Sequence, residues 1–481
     1  MPDTSLNKKI TKGIIWKGLE RVGTRGVTFL LAIILARLLE PGLFGIISML
    51  LVFTEIAGVF VDSGFPLALV QKKNIDQLDC STVFFANTAI AICTYLILFF
   101  CAKWVAVFYN DSGYITYLRV MALSIPFNSL IMVHDALLVR QLKFRLIFHG
   151  RLLGNIISGI IGCGMAVWGF GVWALIGQYV ICSFIYTCCL IIWSGWKPSW
   201  EFSFRRLSGL FQYGWKIAVS FLLDAVYKDA YTLVIGKIYS KETLAFYKRG
   251  HSFPHLGIST ISNTISSVFL PAFSSIQDSE KDIRQLAKQG IQTSMFFVTP
   301  LLVFLLVFAD PIVRVLLTEK WIPCTVFLQC SCLIYILQPM NDINRQVILA
   351  RGYSGRILCL EIILKVQLAI IILVTFRYGV MAMVWGLVVQ APIVFLETAW
   401  LNGKLAQYQW WKQLWDIFPL LCCNVIIAGG TYLIGLIIPY NILKLLIGGL
   451  IFSLSYLFIT YYFDIMPLKV KHAILSRFKF T

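Results

Sequence analysis

The chain has 481 residues, of which 59% are hydrophobic, 15% aromatic and 13% charged. Soluble domains carry roughly 25% charged residues, so the composition excludes an ordinary soluble enzyme and points to an all-α membrane protein. The net charge of +18 would suit a nucleic-acid binder, but its placement between apolar blocks reads as a topology signal and implies no nucleic acid.

In chain order, apolar blocks long enough to cross a bilayer fall near residues 13–38, 43–70, 82–108, 114–138, 150–168 and 171–194. After the joint WKPSWEFSFRR they resume near 209–239, 253–275, 289–309, 322–350, 357–376, 379–402, 416–437 and 442–463. The first block starts inside a basic segment and lacks a small-residue cleavage site, so it reads as a first span and not as a cleaved signal. Alternate joints are basic: Lys8, Lys9 and Lys12; Lys72 and Lys73; Arg140, Lys143, Arg145 and Arg151; Lys197, Arg205 and Arg206. The series continues through Lys281, Arg284 and Lys288, Arg351 and Arg356, Lys404 and Lys412, and ends with Lys469, Lys471, Arg477 and Lys479. The intervening joints FYNDSG, WGFG and IIPYN carry no base. The positive-inside rule then predicts about 14 transmembrane helices in the cytoplasmic (inner) membrane with both termini cytoplasmic. Part of the excess charge would also meet anionic membrane lipids.

The two halves echo each other. Trp16-Lys17 opens the first span and Trp215-Lys216 the seventh; Pro66 and Pro271 close the second and eighth. Arg140 and Arg145 match Arg351 and Arg356 after the fourth and tenth, and GVWALI at Gly171 matches GVMAMV at Gly379. Six spans per repeat means that both halves enter the membrane alike, which predicts two six-helix lobes related by a pseudo-two-fold along the membrane normal. The expected divisions are an N-lobe at 1–198, a C-lobe at 207–404, two extra helices at 412–465 and a basic tail at 466–481. Two such lobes suit an alternating-access transporter.

Charges inside apolar blocks mark the candidate site, because a charge at mid-bilayer costs roughly 2.5–3.5 kcal/mol unless it faces a cavity or a partner. Lys17, Arg21 and Arg25 recur every four residues on one face of the first helix, with Glu20 beside them to pair with Thr24 or Lys17. The seventh places Ser220, Asp224 and Lys228 on one face; the second carries Glu55 and Asp62; the eighth carries Arg249 above Ser252, Ser259, Asn263 and Ser266. The tenth adds Asn341, Asp342, Asn344 and Arg345. Arginines there would donate bidentately to a phosphate or carboxylate; the bland alternative is that Lys17, Arg21 and Arg25 snorkel to lipid phosphates. Asp224 and Lys228 could equally form an i,i+4 ion pair. His251 and His255 have the spacing of a zinc motif without its Glu, and His134-Asp135 reads as a satisfied pair or a proton relay. Gly150 and Gly154 have GxxxG spacing, a mark of close helix packing. The thirteen cysteines lie mostly singly in apolar blocks without zinc spacing and read as packing residues.

GFGVWALIGQ (169–178), LPAFSSIQDSEKDIRQL (270–286), ADPIVRVLLTEKW (309–321), the opening GIIWKGLERVGTRG and FVDSGFPLALVQ (60–71) together resemble the polysaccharide transporter family, the Wzx-type flippases, and within it the WzxC-like lipopolysaccharide biosynthesis proteins. The family belongs to the multidrug/oligosaccharidyl-lipid/polysaccharide exporter superfamily. The resemblance implies a V of two six-helix lobes and a cationic cavity lined by the first, second, seventh and eighth helices. It also implies translocation of an undecaprenyl-pyrophosphate-linked oligosaccharide between leaflets, so the partner would be a lipid-linked anionic glycan, alongside other polysaccharide-assembly membrane proteins. Carried onto this chain, the headgroup binders would be Arg21, Arg25 and Arg249, with Lys228 and Arg345 in weaker roles. No cofactor is implied beyond a coupling ion, H⁺ or Na⁺, for which Asp224, Asp62 and Glu55 are candidate carriers. The alternatives are a cation-coupled multidrug exporter of the same fold, whose cationic cargo a basic cleft would repel, and a membrane-embedded glycosyltransferase. The outer joints are too short to house a catalytic domain, so the chain reads as no enzyme.

Overall fold

The computed structural model describes residues 4–467 other than 63 and 73, with side chains except at 4–15, 17, 21, 67, 210–218 and 263. The described residues form eighteen α-helices and a single 3₁₀ turn. The first nine are α1 (Thr4–Leu38), α2 (Pro41–Asp62), α3 (Phe65–Gln71), α4 (Gln77–Tyr109), α5 (Gly113–Met121), α6 (Ser124–Arg140), α7 (Phe144–Val167), α8 (Val172–Ser194) and α9 (Phe204–Ile238). The rest are α10 (Lys241–Ser274), α11 (Glu280–Val307), α12 (Ala309–Leu316), α13 (Cys324–Tyr335), α14 (Gln338–Ala350), α15 (Ser354–Thr375), α16 (Val380–Ala406), α17 (Trp410–Ile437) and α18 (Asn441–Tyr462). Twelve segments are long and apolar enough to cross a membrane, α5–α6 and α13–α14 each counting as one. The helices α1 and α9, of 35 residues each, are long enough as well, and they carry the basic and acidic stripes of the sequence. The chain is a multi-pass helical membrane protein.

The internal repeat reappears in the punctuation of the helices. The fourth and tenth spans are each broken once, between α5 and α6 and between α13 and α14, and each is followed by a short turn before α7 and α15. The helices α8 and α16 both start after a glycine with positive φ, Gly171 at 56° and Gly379 at 102°, a backbone setting that other residues adopt only with strain. The second and eighth spans differ. Gly64 at φ 70° and Pro66 in the first turn of α3 end α2 and start a separate helix, whereas Pro271 sits inside the continuous α10. A proline costs one backbone bond in a helix interior but none in a first turn.

The chain forms two compact units, residues 1–245 and 246–481. In the first, α7 packs along both α1 and α8. An added methyl at Gly150 would lie 3.3 Å from the Tyr186 ring, and one at Gly154 would lie 3.2 Å from the Cys182 carbonyl, so the GxxxG pair does allow close approach to α8. The helix α9 packs against α2, α3 and α4 of this unit. In the second unit a continuous apolar core joins Phe273, Ile291, Met295, Phe296, Met340, Phe395 and Phe452. The last two helices belong to that core. Tyr456 of α18 donates to the Phe296 carbonyl at 2.7 Å, and Asn424 of α17 donates to Thr299 Oγ1 at 3.1 Å.

Candidate functional site

In α1, Arg25 is half-buried, while the side chains of Lys17 and Arg21 lie outside the described residues. Glu20 is buried, only 3% exposed, and the side chain of Lys17, one of the two partners the sequence suggested for it, lies outside the described residues. Thr24 donates to the Glu20 backbone carbonyl, and the carboxylate takes Arg151 Nη1 of α7 at 2.7 Å. The helix α7 runs along α1, which brings the planar Arg151 guanidinium to this buried carboxylate. Arg151 also meets Tyr186 Oη at 3.2 Å and Asp135 Oδ2 at 3.8 Å. His134 turns the other way, to Ser194 Oγ at 2.6 Å and into a T-shaped contact with the Trp196 ring, so His134 and Asp135 form no pair.

Of the proposed ion carriers, Asp62 lines a cavity of about 560 Å³ with Asn128, Asp135, Arg151, Tyr186 and Phe221. Its wall thus carries two carboxylates and one guanidinium, the latter already bound to Glu20. Glu55, seven residues and about two turns before Asp62 on α2, accepts from Lys228 Nζ of α9 at 3.3 Å. The pair that forms is therefore between helices, and Asp224 is exposed. Arg37, Lys237 and Arg119 lie towards helix ends; Arg119 donates to the Phe99 carbonyl at 3.1 Å and stacks on its ring.

In the second unit Arg249 is half-buried, its guanidinium 5.4 Å from the ring centre of the buried Trp321. Arg345 of α14 is committed to Glu361 of α15 at 2.6 Å. Asn341 and Asn344, read from sequence as polar residues facing inward, build an amide ladder. Asn402 donates to Asn344 at 2.6 Å, Asn344 to Gln413 at 3.0 Å, Gln413 to the Tyr408 carbonyl at 2.9 Å, and Thr398 to Asn341 at 3.0 Å. Such interhelical bonds contribute about 0.6 kcal/mol each in membrane proteins; here they tie α14, α16 and α17 together. His251 accepts or donates at Tyr335 Oη, 2.8 Å away, and stacks on His255. Among the described residues no group of three or more His, Cys, Asp or Glu is placed to hold a metal.

One cluster escaped the sequence reading. Asp79, with 0% of its side chain exposed, receives Lys72 at 2.6 Å and Arg206 of α9 at 3.1 Å, and Arg206 also reaches Asp76 at 3.1 Å. Asp76 and Asp79 form a capping box on α4, and Arg140 donates to the Leu69 and Val70 carbonyls at the end of α3. The following linker is pinned to the same helix start: Gln77 to the Lys197 carbonyl, Trp196 Nε1 to Gln77, Ser81 to Ser199, and the Ser203 N–H to Thr82. The signal was available in DQLDCST, an acidic i,i+3 pair directly before an apolar run, but its long-range partner was not. Asp79→Asn is expected to destabilise the detergent-solubilised protein by about 1.5–3 kcal/mol, the worth of hydrogen bonds to charged groups, read as a lowered thermal midpoint. The backbone N–H of Asp79, then its side chain, Arg206 and Lys72 hold the Asp76 carboxyl below the usual carboxylate range. A depressed carboxyl stabilises fully above its unfolded pKa of about 4 and ceases to do so only as pH falls through the lower folded value. The joint therefore keeps this contribution throughout neutral pH.

Comparison with known proteins places this geometry. A family model described as "Polysaccharide biosynthesis protein" matches residues 34–326. The succinoglycan biosynthesis transport protein ExoT of Rhizobium meliloti (strain 1021) is 25% identical over 321 residues, 67% of this chain and 65% of ExoT, so the match spans just under two thirds of that relative. The lipopolysaccharide biosynthesis protein WzxC of Escherichia coli (strain K12) is 20% identical over 72% of this chain and 71% of its own. Among solved structures, the lipid II flippase MurJ in an inward closed conformation superposes with a TM-score of 0.76 at 16% identity, covering 94% of this chain and 98% of that one. The likeness to MurJ establishes the fold, and the family model, matching more than half of the chain, establishes the lineage. The chain is a member of the polysaccharide biosynthesis protein family.

Proposed function

We propose that the chain is a flippase that moves an undecaprenyl-pyrophosphate-linked oligosaccharide, the repeat unit of a surface polysaccharide or O-antigen, across the cytoplasmic membrane by alternating access. The observation that carries this reading is the presence of half-buried arginines inside long apolar helices, Arg25 in α1 and Arg249 in α10, in a chain of this family and fold. A cation in such a place implies an anionic or polar partner, and a diphosphate offers bidentate acceptors to a guanidinium. In this reading Arg21, Arg25 and Arg249 hold the headgroup. Lys228 and Arg345, already paired with Glu55 and Glu361, contribute only when those pairs open. The relatives support a glycan cargo by name: ExoT is a succinoglycan transport protein and WzxC a lipopolysaccharide biosynthesis protein. The chain itself is read as a transporter and not an enzyme. Both termini are assigned to the cytoplasm on the charge asymmetry of the joints, and the other membrane proteins of polysaccharide assembly are its expected neighbours.

Deleting the gene in its native strain is expected to remove one surface polysaccharide and to leave its lipid-linked repeat units on the inner leaflet. Intact polysaccharide combined with raised sensitivity to cationic drugs would overturn this reading in favour of a multidrug exporter.

A further inference from the structure

The cavity of about 560 Å³ that Asp62 and Asp135 share falls in the usual size range of small-ligand sites, roughly 300–1,000 Å³. All of its lining residues belong to the first unit. Asp62 ends α2, Asn128 and Asp135 both come from α6, Arg151 from α7, Tyr186 from α8 and Phe221 from α9. The Tyr186 hydroxyl donates to Asp135 Oδ1 at 3.5 Å and accepts from Arg151 Nε at 3.2 Å. Asp62 is half-buried, and among the described residues no hydrogen bond or ion pair engages its carboxyl. Arg151 is held by Glu20 at 2.7 Å, yet 42% of its side chain stays exposed. Three carboxylates, those of Glu20, Asp62 and Asp135, thus meet one guanidinium, and the formal balance at the cavity is negative.

These are the parts that a sugar ring needs. Each ring hydroxyl is both donor and acceptor. A carboxylate takes two donors, so Asp62 and Asp135 suit neighbouring hydroxyls, while the Asn128 amide and the Arg151 guanidinium donate to sugar oxygens. Phe221, 45% exposed, offers an aromatic face to the apolar C–H side of the ring. An acidic sugar would set its own carboxylate against two others, and like charges brought together select against that ligand. The Arg151–Glu20 bond also ties this wall to α1, the helix of Arg21 and Arg25 to which the headgroup is assigned.

We propose that this cavity is a sugar subsite of the transporter that accepts a ring bearing hydroxyls and no carboxylate, with Asp62 as its selecting residue. The inference rests on the flippase reading above and adds the charge class of the sugar that enters here. The test uses the full chain in lipid nanodiscs with millimolar methyl glycosides, read by saturation-transfer NMR. The probes are methyl glucoside, methyl galactoside, methyl N-acetylglucosaminide and methyl glucuronide, with tetraphenylphosphonium as a cationic control. One of the neutral glycosides should bind about tenfold or more tightly than the glucuronide. Asp62→Asn keeps the shape and an acceptor but drops the charge. It should weaken the neutral glycoside about threefold to tenfold and shrink its advantage over the glucuronide. A merely structural role for Asp62 would lower the thermal midpoint and leave that ratio alone. Equal binding of glucuronide and neutral glycosides, no glycoside signal at all, or an unchanged ratio in a folded Asp62→Asn protein would overturn the subsite. A gene deletion that still removes the surface polysaccharide would then leave the flippase reading standing. If the cavity instead binds tetraphenylphosphonium and no glycoside, and the deletion strain keeps its polysaccharide, both readings fail.

Discussion

Arg151→Met is expected to be the most damaging single stability change in the first unit. It strips one guanidinium from Glu20, Asp135 and Tyr186 together and leaves a carboxylate that is only 3% exposed without that cation. Breaking a buried ion pair from one side costs about 3–5 kcal/mol, because the remaining charge has lost its compensation. Arg151 keeps 42% of its side chain exposed, towards the cavity shared with Asp62 and Asn128, so the lower end of that range, about 3 kcal/mol, is expected. Adding Glu20→Gln should restore much of the loss, since the second change removes the stranded charge. The resulting coupling, read from thermal midpoints of the four proteins in one detergent, should be about 1–3 kcal/mol. Additive effects would show that the two side chains do not interact. Because Arg21 follows Glu20 directly and Arg25 lies five residues on in α1, the single variants should impair transport more than their stability loss predicts.

How much of this was legible in the sequence depends on the range of the interaction. Helix positions follow from local apolarity, and fourteen long segments were readable because bilayer thickness fixes their length. Breaks within spans were harder. Pro66 at the start of α3 and Pro271 inside α10 look alike in sequence, and only the left-handed Gly64 distinguishes them. The repeat was readable from short motifs, and its glycine pair, Gly171 and Gly379, proved to have the same backbone role. Partners were not: Glu20 finds Arg151 and Lys228 finds Glu55 across more than a hundred residues of chain, and no local pattern encodes such a pairing. The same limit hid the Lys72, Asp76, Asp79 and Arg206 cluster and the pairing of Arg345 with Glu361.

The larger functional effect is expected from Arg25→Ala combined with Arg249→Ala. A hydrogen bond to a charged group is worth about 1.5–3 kcal/mol, so each loss should weaken headgroup binding by roughly tenfold to a hundredfold, with the pair together removing most transport. Lysine at both positions should recover part of the activity, since the charge returns without the bidentate fork. Trp321 loses its cation–π neighbour in Arg249→Ala, so thermal midpoints must accompany the comparison. The decisive measurement is leaflet translocation of a pyrophosphate-linked polyprenyl oligosaccharide in vesicles containing only this protein. The account predicts rapid protein-dependent movement by wild type and a fall of about a hundredfold or more in a folded Arg25→Ala, Arg249→Ala protein. Equal rates in the two would contradict it.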